Sequence, residues 1–299
     1  MDKGISIIIS CCDNYKYVLE NIESILNINI INDYEIIVID DSINKKSNIF
    51  YNYQDKIKVI ENKINMGVQY ARNIGLKNAK YKYILMIDGD DKLNNDQNIL
   101  NNGNYIDLSI DLLENNKDLA FTHCIINMFD KFDGYTISSY KVTEELLVKK
   151  HHVPICIIYR REEGLNCGGY DLSINKWQDW SFAISLLNYR IKNKLNNETY
   201  FFEKPYYLYR IHNPNKQISN IEIDELSMIK QTIINNKDIF IKYYKDIDVD
   251  SMSKKVLDNK PDRTEELMFV AHNNINIAKE IIKQRKYILD SPLKIDNIP

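Results

Sequence analysis

Residues 81–96 read YKYILMIDGDDKLNND, an apolar run ending in three carboxylates, Asp88, Asp90 and Asp91, with one glycine between the first two. Two other apolar runs end in small polar or acidic residues. ISIIIS leads through Ser10 into Cys11, Cys12 and Asp13, and YEIIVID leads through Asp40 into Asp41 and Ser42. In an open α/β sheet, ligands collect outside the carboxyl ends of the strands. Carboxylates gathered there repel and raise one another's pKa values. A divalent cation relieves that repulsion, and hard oxygen ligands suit Mg2+ or Mn2+. Taken singly, Asp90 or Asp91 is better explained as a cap on the next helix. Three converging strand ends are not.

The elements that must position these groups follow from periodicity. Residues 5–10, 34–40, 56–61 and 81–88 read as strands, the first two and the last as buried β-branched or apolar runs. Residues 15–28 and 67–79 carry apolar or small residues at helical spacing. Strands separated by helices predict βαβ units and a mostly parallel sheet flanked by helices, an α/β fold. Beyond Asp96 the reading is a helix over 105–115, strands over 119–129, 134–142 and 153–160, a helix over 180–194, and strands TYFFEK and YYLYRIH. Two or three helices follow Ile221, roughly over 222–245 and 264–288.

Composition narrows the function classes. At 299 residues the chain buries roughly 70–75% of its unfolded surface without staples. The net charge of −3 argues against general nucleic-acid binding. Five cysteines without a CxxC pair predict reduced, mostly buried thiols in a cytoplasmic protein. No apolar run approaches the ~20 residues of a membrane span, and a peripheral membrane contact stays open.

Six motifs in order resemble the inverting glycosyltransferases of family 2, which have the GT-A fold: SIIISCCDN (6–14), IDDSI (39–43), NMGVQYARNIG (65–75), DGDD (88–91), GGYDLSINKWQDW (168–180) and YRIH (209–212). The resemblance covers about residues 4–215. It implies a catalytic region over 1–220, with a nucleotide-binding half to 100 and an acceptor half after it, and a helical extension over 221–299. It implies a nucleotide-sugar donor, expected to be a UDP-sugar, and a saccharide or glycoconjugate acceptor. Asp90 is then the metal-binding acid for Mn2+ or Mg2+. Asp88 reaches the ribose or a metal-bound water, and Asp40 accepts the N3–H of uracil. Arg72 pairs with a phosphate or braces the acids. Ser10, Cys11, Asn65 and Gly89 complete the donor pocket.

Asp179 in QDW reads by itself as an acid at a helix N-terminus, favoured there by the helix dipole. The resemblance makes it the general base. His212 shares a strand face with Leu208 and Arg210; it is either a metal or diphosphate ligand or a surface histidine at a strand end. The chain departs from the family at Cys12, where an aromatic ring commonly stacks on uracil, and at Gln178, where an acid is common. Tyr15 is one candidate replacement for the ring, and Trp177, Trp180 and Tyr170 are candidates for an acceptor platform or for the core. Two other readings remain: a sugar nucleotidyltransferase, which would need a glycine-rich basic loop that SCCDNYKY lacks, and a non-catalytic nucleotide- or carbohydrate-binding protein.

Overall fold

The computed structural model describes residues 2–149, 153, 155–212 and 224–285. The chain opens with β1 (Ile5–Cys11), α1 (Tyr15–Leu26), β2 (Tyr34–Asp40), a 3-10 turn over Ser47–Tyr53, β3 (Ile57–Glu61), α2 (Val68–Asn78) and β4 (Tyr83–Asp88). The middle adds β5 (Lys92–Leu93), α3 (Gln97–Leu100), α4 (Tyr105–Asn115), β6 (Leu119–Asp130), β7 (Gly134–Tyr135), α5 (Glu144–Val148), β8 (Ile158–Arg160), α6 (Arg161–Asn166), α7 (Gln178–Lys192) and β9 (Glu198–Ile211). Among the described residues five helices follow: α8 (Glu225–Asn235), α9 (Lys237–Tyr243), α10 (Val249–Asp258), α11 (Arg263–Asn273) and α12 (Ile275–Gln284).

One sheet runs through the molecule in the order β3-β2-β1-β4-β8-β6-β9-β5, with β7 beside β6. The first four strands are parallel, β8 is antiparallel to both β4 and β6, and β9 is parallel to β6. Alternate side chains face opposite sides, and both sides are buried. Ile8, Ile37, Ile39, Ile84 and Met86 face α2 and α7. Ile7, Ile9, Ile36, Val38 and Leu85 face α1 and α4. This is why the strands read as continuous apolar runs.

Several expectations are corrected. The strand predicted over 134–142 is only Gly134–Tyr135, and the one over 153–160 is only Ile158–Arg160. The intervening chain forms α5 instead, whose Thr143 side chain accepts from the Leu146 amide. TYFFEK and YYLYRIH are one strand, β9, carried past Pro205 where the register against β6 shifts between Cys124 and Ile126. A bulge is where a sheet tolerates proline. The two long C-terminal helices are divided at Asn236 (φ −131°) and Asn274 (φ −151°), and the Asn274 side chain caps α12. Asparagine competes for nearby backbone groups and so breaks helices. His151, His152, Asn213, Pro214, Asn215 and Lys286 lie outside the described residues.

The C-terminal helices share the core. Ile229, Phe240, Val256, Val270 and Ile281 belong to the same cluster as Ile8 and Ile37. Arg285 donates to the Tyr135 carbonyl (2.7 Å), and Gln284 Oε1 accepts from the Tyr135 amide (2.9 Å). In α11, Glu266 faces the Tyr140 hydroxyl at 3.4 Å. Burial pushes its carboxyl up from 4.5 to about 7, against the pull of Tyr140, Arg263, Lys260 and Arg285. The native state therefore holds this proton more tightly than the unfolded chain does. That stabilisation is full below pH 4.5 and is lost as pH rises through about 7. Glu266→Gln should match the wild type near pH 4 and exceed it at pH 8 by ~1–2 kcal/mol, allowing for partial solvent screening, as read by urea melts at the two pH values.

Candidate active site

The carboxyl ends of β1, β2 and β4 meet as anticipated, because β1 pairs with both neighbours through Cys11–Asp40 and Ser10–Asp88. Gly89 is what lets them meet. A Cβ there would lie 2.2 Å from the Ser10 carbonyl oxygen and 2.9 Å from Val18 Cγ2. The glycine of DGDD is thus a packing requirement between β1, α1 and the end of β4. Asn21, buried on α1, donates to the Asp88 carbonyl at 3.0 Å and fixes the same turn.

The protein's own donors neutralise most of the acids gathered here. Asp41 accepts from the amides of Met66 (3.0 Å) and Gly67 (2.7 Å) and from Asn62 (2.7 Å), and so shapes the loop entering α2. Asp40 is fully buried, accepting from the Tyr15 hydroxyl (2.9 Å) and the Ser42 amide (3.0 Å), with Lys45 Nζ 3.6 Å away. Asp91 is buried, accepting from the Tyr207 hydroxyl and the Arg210 amide, each at 2.8 Å. Burial, then the charges of Asp90 and Asp88, raise its pKa well above the usual carboxylate range. The expectation that a cation relieves the whole cluster is therefore narrowed: hydrogen bonds and ion pairs from donors elsewhere in the protein already serve four of these acids, Asp40, Asp41, Asp88 and Asp91.

The fourth of these is Asp88, and its partner is Arg72. One guanidinium nitrogen of Arg72 lies 2.7 Å from Asp88 Oδ1 and the other 2.9 Å from Asp179 Oδ1. The guanidinium also lies over the Tyr170 ring, 5.0 Å from its centroid. Arg72 is buried. Burial works against its charge, but Asp179 and Asp88 outweigh it and raise its pKa. A planar fork suits this two-sided role, whereas an ammonium would not. Arg72 thus braces the acids from a buried position.

The loop that carries Asp179 is fastened to the same helix. Asn73 exchanges two hydrogen bonds of 2.8 Å with the Tyr170 backbone, and Gln69 donates to the Ile174 carbonyl at 2.6 Å. Gly169, at φ 73°, passes so close that a Cβ would meet Asn73 Oδ1 at 2.4 Å. Residues 69, 72 and 73 share one face of α2, so one helix holds the whole segment. Asp179 lies in the first turn of α7 and is 22% exposed. Its pKa is raised, chiefly by burial and further by Asp88, against the pull of Arg72.

The pairing of β5 with β9 brings DGDD to YRIH, with Lys92 opposite Leu208 and Leu93 opposite Tyr207. His212 Nε2 then lies 2.5 Å from Asp90 Oδ2, with side chains 20% and 31% exposed. The Tyr17 ring flanks His212, centroids 5.6 Å apart. Arg210 anchors this corner: it donates to the Asp90 carbonyl (2.8 Å), Glu20 (2.6 Å) and Asp130 (3.2 Å), between the Tyr17 and Phe129 rings. Among the described residues, no three His, Cys, Asp or Glu side chains converge as a metal cage. The half-open Asp90 carboxylate and His212 imidazole still suit a divalent ion whose other positions fall to water and ligand oxygens.

The remaining predicted residues divide. Ser10 sits at the β1 end opposite Asp88, and Asn65 is exposed and donates to the Asp41 carbonyl (2.9 Å) and to Cys12 Sγ (3.2 Å). Cys11 is buried against Ser42, its thiol pushed up to about 12 by burial. Tyr15 packs on Phe50 and bonds Asp40, so its ring is no open stacking surface. Trp180 and Tyr170 are core residues: the Trp180 indole N–H donates to the Leu147 carbonyl, and Tyr170 stacks on Phe182. Sequence reasoning missed Glu20 and Tyr17. Their signal is the helical spacing of an acid and a ring on one face of α1.

Removing the shared cation should leave Asp88 and Asp179 facing each other. Arg72→Met is expected to lose ~2–4 kcal/mol at pH 8, discounted from the buried-pair cost because both acids are partly exposed. In that variant Asp179, whose folded-state pKa is already raised, loses the cation that pulls it down, so the deficit should shrink as pH falls toward 4. Chemical melts across that range check both the size and the sign.

The sequence and the fold are both similar to those of known proteins. Residues 6–99 match the sequence model of Glycosyl transferase family 2. An uncharacterized glycosyltransferase of Haemophilus influenzae is 22% identical over 225 residues, covering 71% of this chain and 73% of that protein. Staphylococcus aureus TarS 1-349, solved in complex with UDP-GlcNAc, superposes with a TM-score of 0.64 at 17% identity, over 96% of this chain and 79% of that one. A mannosyltransferase of Pyrobaculum calidifontis, in complex with GDP-Man and Mn2+, superposes with a TM-score of 0.52 at 11% identity, over 96% and 80%. The chain carries the GT-A fold, and its residues 6–99 resemble the glycosyl transferase family 2 sequences.

Proposed function

We propose that the protein is a metal-dependent, inverting glycosyltransferase that moves a sugar from a UDP-sugar to a hydroxyl of a saccharide acceptor. The observation that carries this reading is the single Arg72 guanidinium joining Asp88, at the end of β4, to Asp179, at the start of α7. It holds the candidate base beside the strand end where a family 2 donor lies. The complex of TarS with UDP-GlcNAc supports a UDP-sugar, and the Mn2+ complex of the mannosyltransferase supports a divalent ion. Residues 1–220 are taken as the catalytic region, with 221–299 as its helical extension.

In a single displacement the acceptor oxygen bonds to the anomeric carbon while the bond to the diphosphate breaks. The electron pair leaves with the diphosphate and the acceptor proton passes to Asp179. Inversion follows because attack and departure are on opposite faces. The raised pKa of Asp179 makes it a stronger base than an exposed aspartate. Arg72 stabilises its ionised form and fixes its direction. Asp90 and His212 would hold the divalent ion, which when bound neutralises charge on the departing diphosphate.

Incubating the protein with Mn2+ and UDP-GlcNAc, UDP-glucose, UDP-galactose or GDP-mannose, and scoring nucleotide release, tests the reading directly. Asp179→Asn should keep the thermal shift given by UDP yet lose ~10²–10⁴-fold in release rate. UDP binding without release from any donor would instead favour a non-catalytic nucleotide-binding protein. His212→Ala should need several-fold more Mn2+ for half-maximal release; an unchanged Mn2+ requirement would remove His212 from the metal site.

A further inference from the structure

The turn that delivers Asp179 is held from a second side, by the C-terminal helices. Trp177, the residue before α7, has φ 65° and ψ 29°, the left-handed region. A bulky side chain persists there only when its surroundings hold it, and such residues cluster at functional sites. Lys260, between α10 and α11, places its ammonium 4.5 Å from the Trp177 ring centroid. The same ammonium is 3.4 Å from Glu225, which lies 3.5 Å from Lys176. Asn235 of α8 donates to Asp171 at 2.8 Å. Helices outside the region matched to family 2 thus grip residues 171–177, opposite the grip of α2 through Gln69 and Asn73.

We propose that Lys260 is a positioning residue for Asp179, acting through Trp177. The inference rests on Asp179 being the base. The cation on the indole face favours the one ring placement that the left-handed turn provides. Relaxation of Trp177 to a right-handed or extended conformation would redirect Gln178 and Asp179 at the start of α7. A base displaced by even an ångström loses rate while the donor pocket, built on β1, β2 and β4, is unchanged. The C-terminal helices would then act on catalysis through geometry.

The test compares Lys260→Met, which keeps the apolar stem and removes the charge, with Lys260→Arg, which keeps a cation over the ring. Both are made in the full chain, with UDP-GlcNAc and Mn2+ as the probe, UDP release as the rate and hydrogen exchange at the amides of 177–181 as a second readout. Lys260→Met should lose about fivefold in kcat, the scale of one partly exposed cation–π contact. Its KM for UDP-GlcNAc should stay within about twofold, since the donor pocket is untouched, and exchange at 177–181 should be faster. Lys260→Arg should restore both readouts. Wild-type kcat and exchange in Lys260→Met, or an equal loss in Lys260→Arg, overturns the proposal. If the wild-type protein releases no UDP, the proposed function fails, and the exchange rates alone decide whether Lys260 holds the turn.

Discussion

One buried guanidinium organises this molecule. Arg72 must be charged to lie between Asp88 and Asp179, and it can lie there only because α2 packs flat against the sheet. The close packing of α2 is visible at Gly75, where a Cβ would meet Ile8 Cγ2 at 2.3 Å. A side chain at 75 would lift the helix and separate Arg72 from both carboxylates. The glycine and arginine of ARNxG therefore answer to one requirement. The first sets how near the helix comes, and the second uses that nearness.

The same logic sorts the acids at the strand ends. An acid served by amides and hydroxyls, as Asp41 and Asp91 are, shapes backbone. An acid served by a fixed cation, as Asp88 is, becomes part of a rigid ion pair. Asp90 alone among these faces an imidazole, a side chain that can ligate metals. Carboxylates of equal formal charge, within a few residues of one another, thus acquire different uses through the hydrogen-bond donors that reach them. The donors come from α1, β9 and α2, elements far apart in the chain.

That distance marks the limit of what the sequence discloses. The four parallel strands were legible because β-branched runs buried on both faces have few other readings. The acids at their ends were legible because charge after an apolar run is costly without a use. Their partners were not. Arg72 meets one acid 16 residues away and another 107 away, and nothing local at Arg72 distinguishes a phosphate ligand from a brace. Asp40 looked like an open acceptor, yet the Tyr15 hydroxyl and the Ser42 amide enclose it, and α1 supplies that enclosure. The short α5 and α6 escaped because each is less than two turns, too brief for periodicity to declare itself. The breaks at Asn236 and Asn274 escaped because apolar spacing continues across them.

The coupling between the loop after β3 and the start of α7 follows from where the rigid elements lie. The loop of residues 62–67 is tied to β2 by Asp41 and leads directly into α2, whose Gln69, Arg72 and Asn73 hold the segment from Tyr170 to Asp179. A ligand that moves the first loop must move α2 or strain it, and any movement of α2 is carried to Asp179 through three polar side chains, Gln69, Arg72 and Asn73. A packed helix transmits such a shift as a body, because its interior does not deform gradually. The distance between the β4 end and the first turn of α7 is therefore set by one helix rather than by the sum of several flexible loops. In the proposed displacement that distance would decide whether base, acceptor and anomeric carbon can align, and the carboxylate oxygens of Asp88 and Asp179 held by one guanidinium define it.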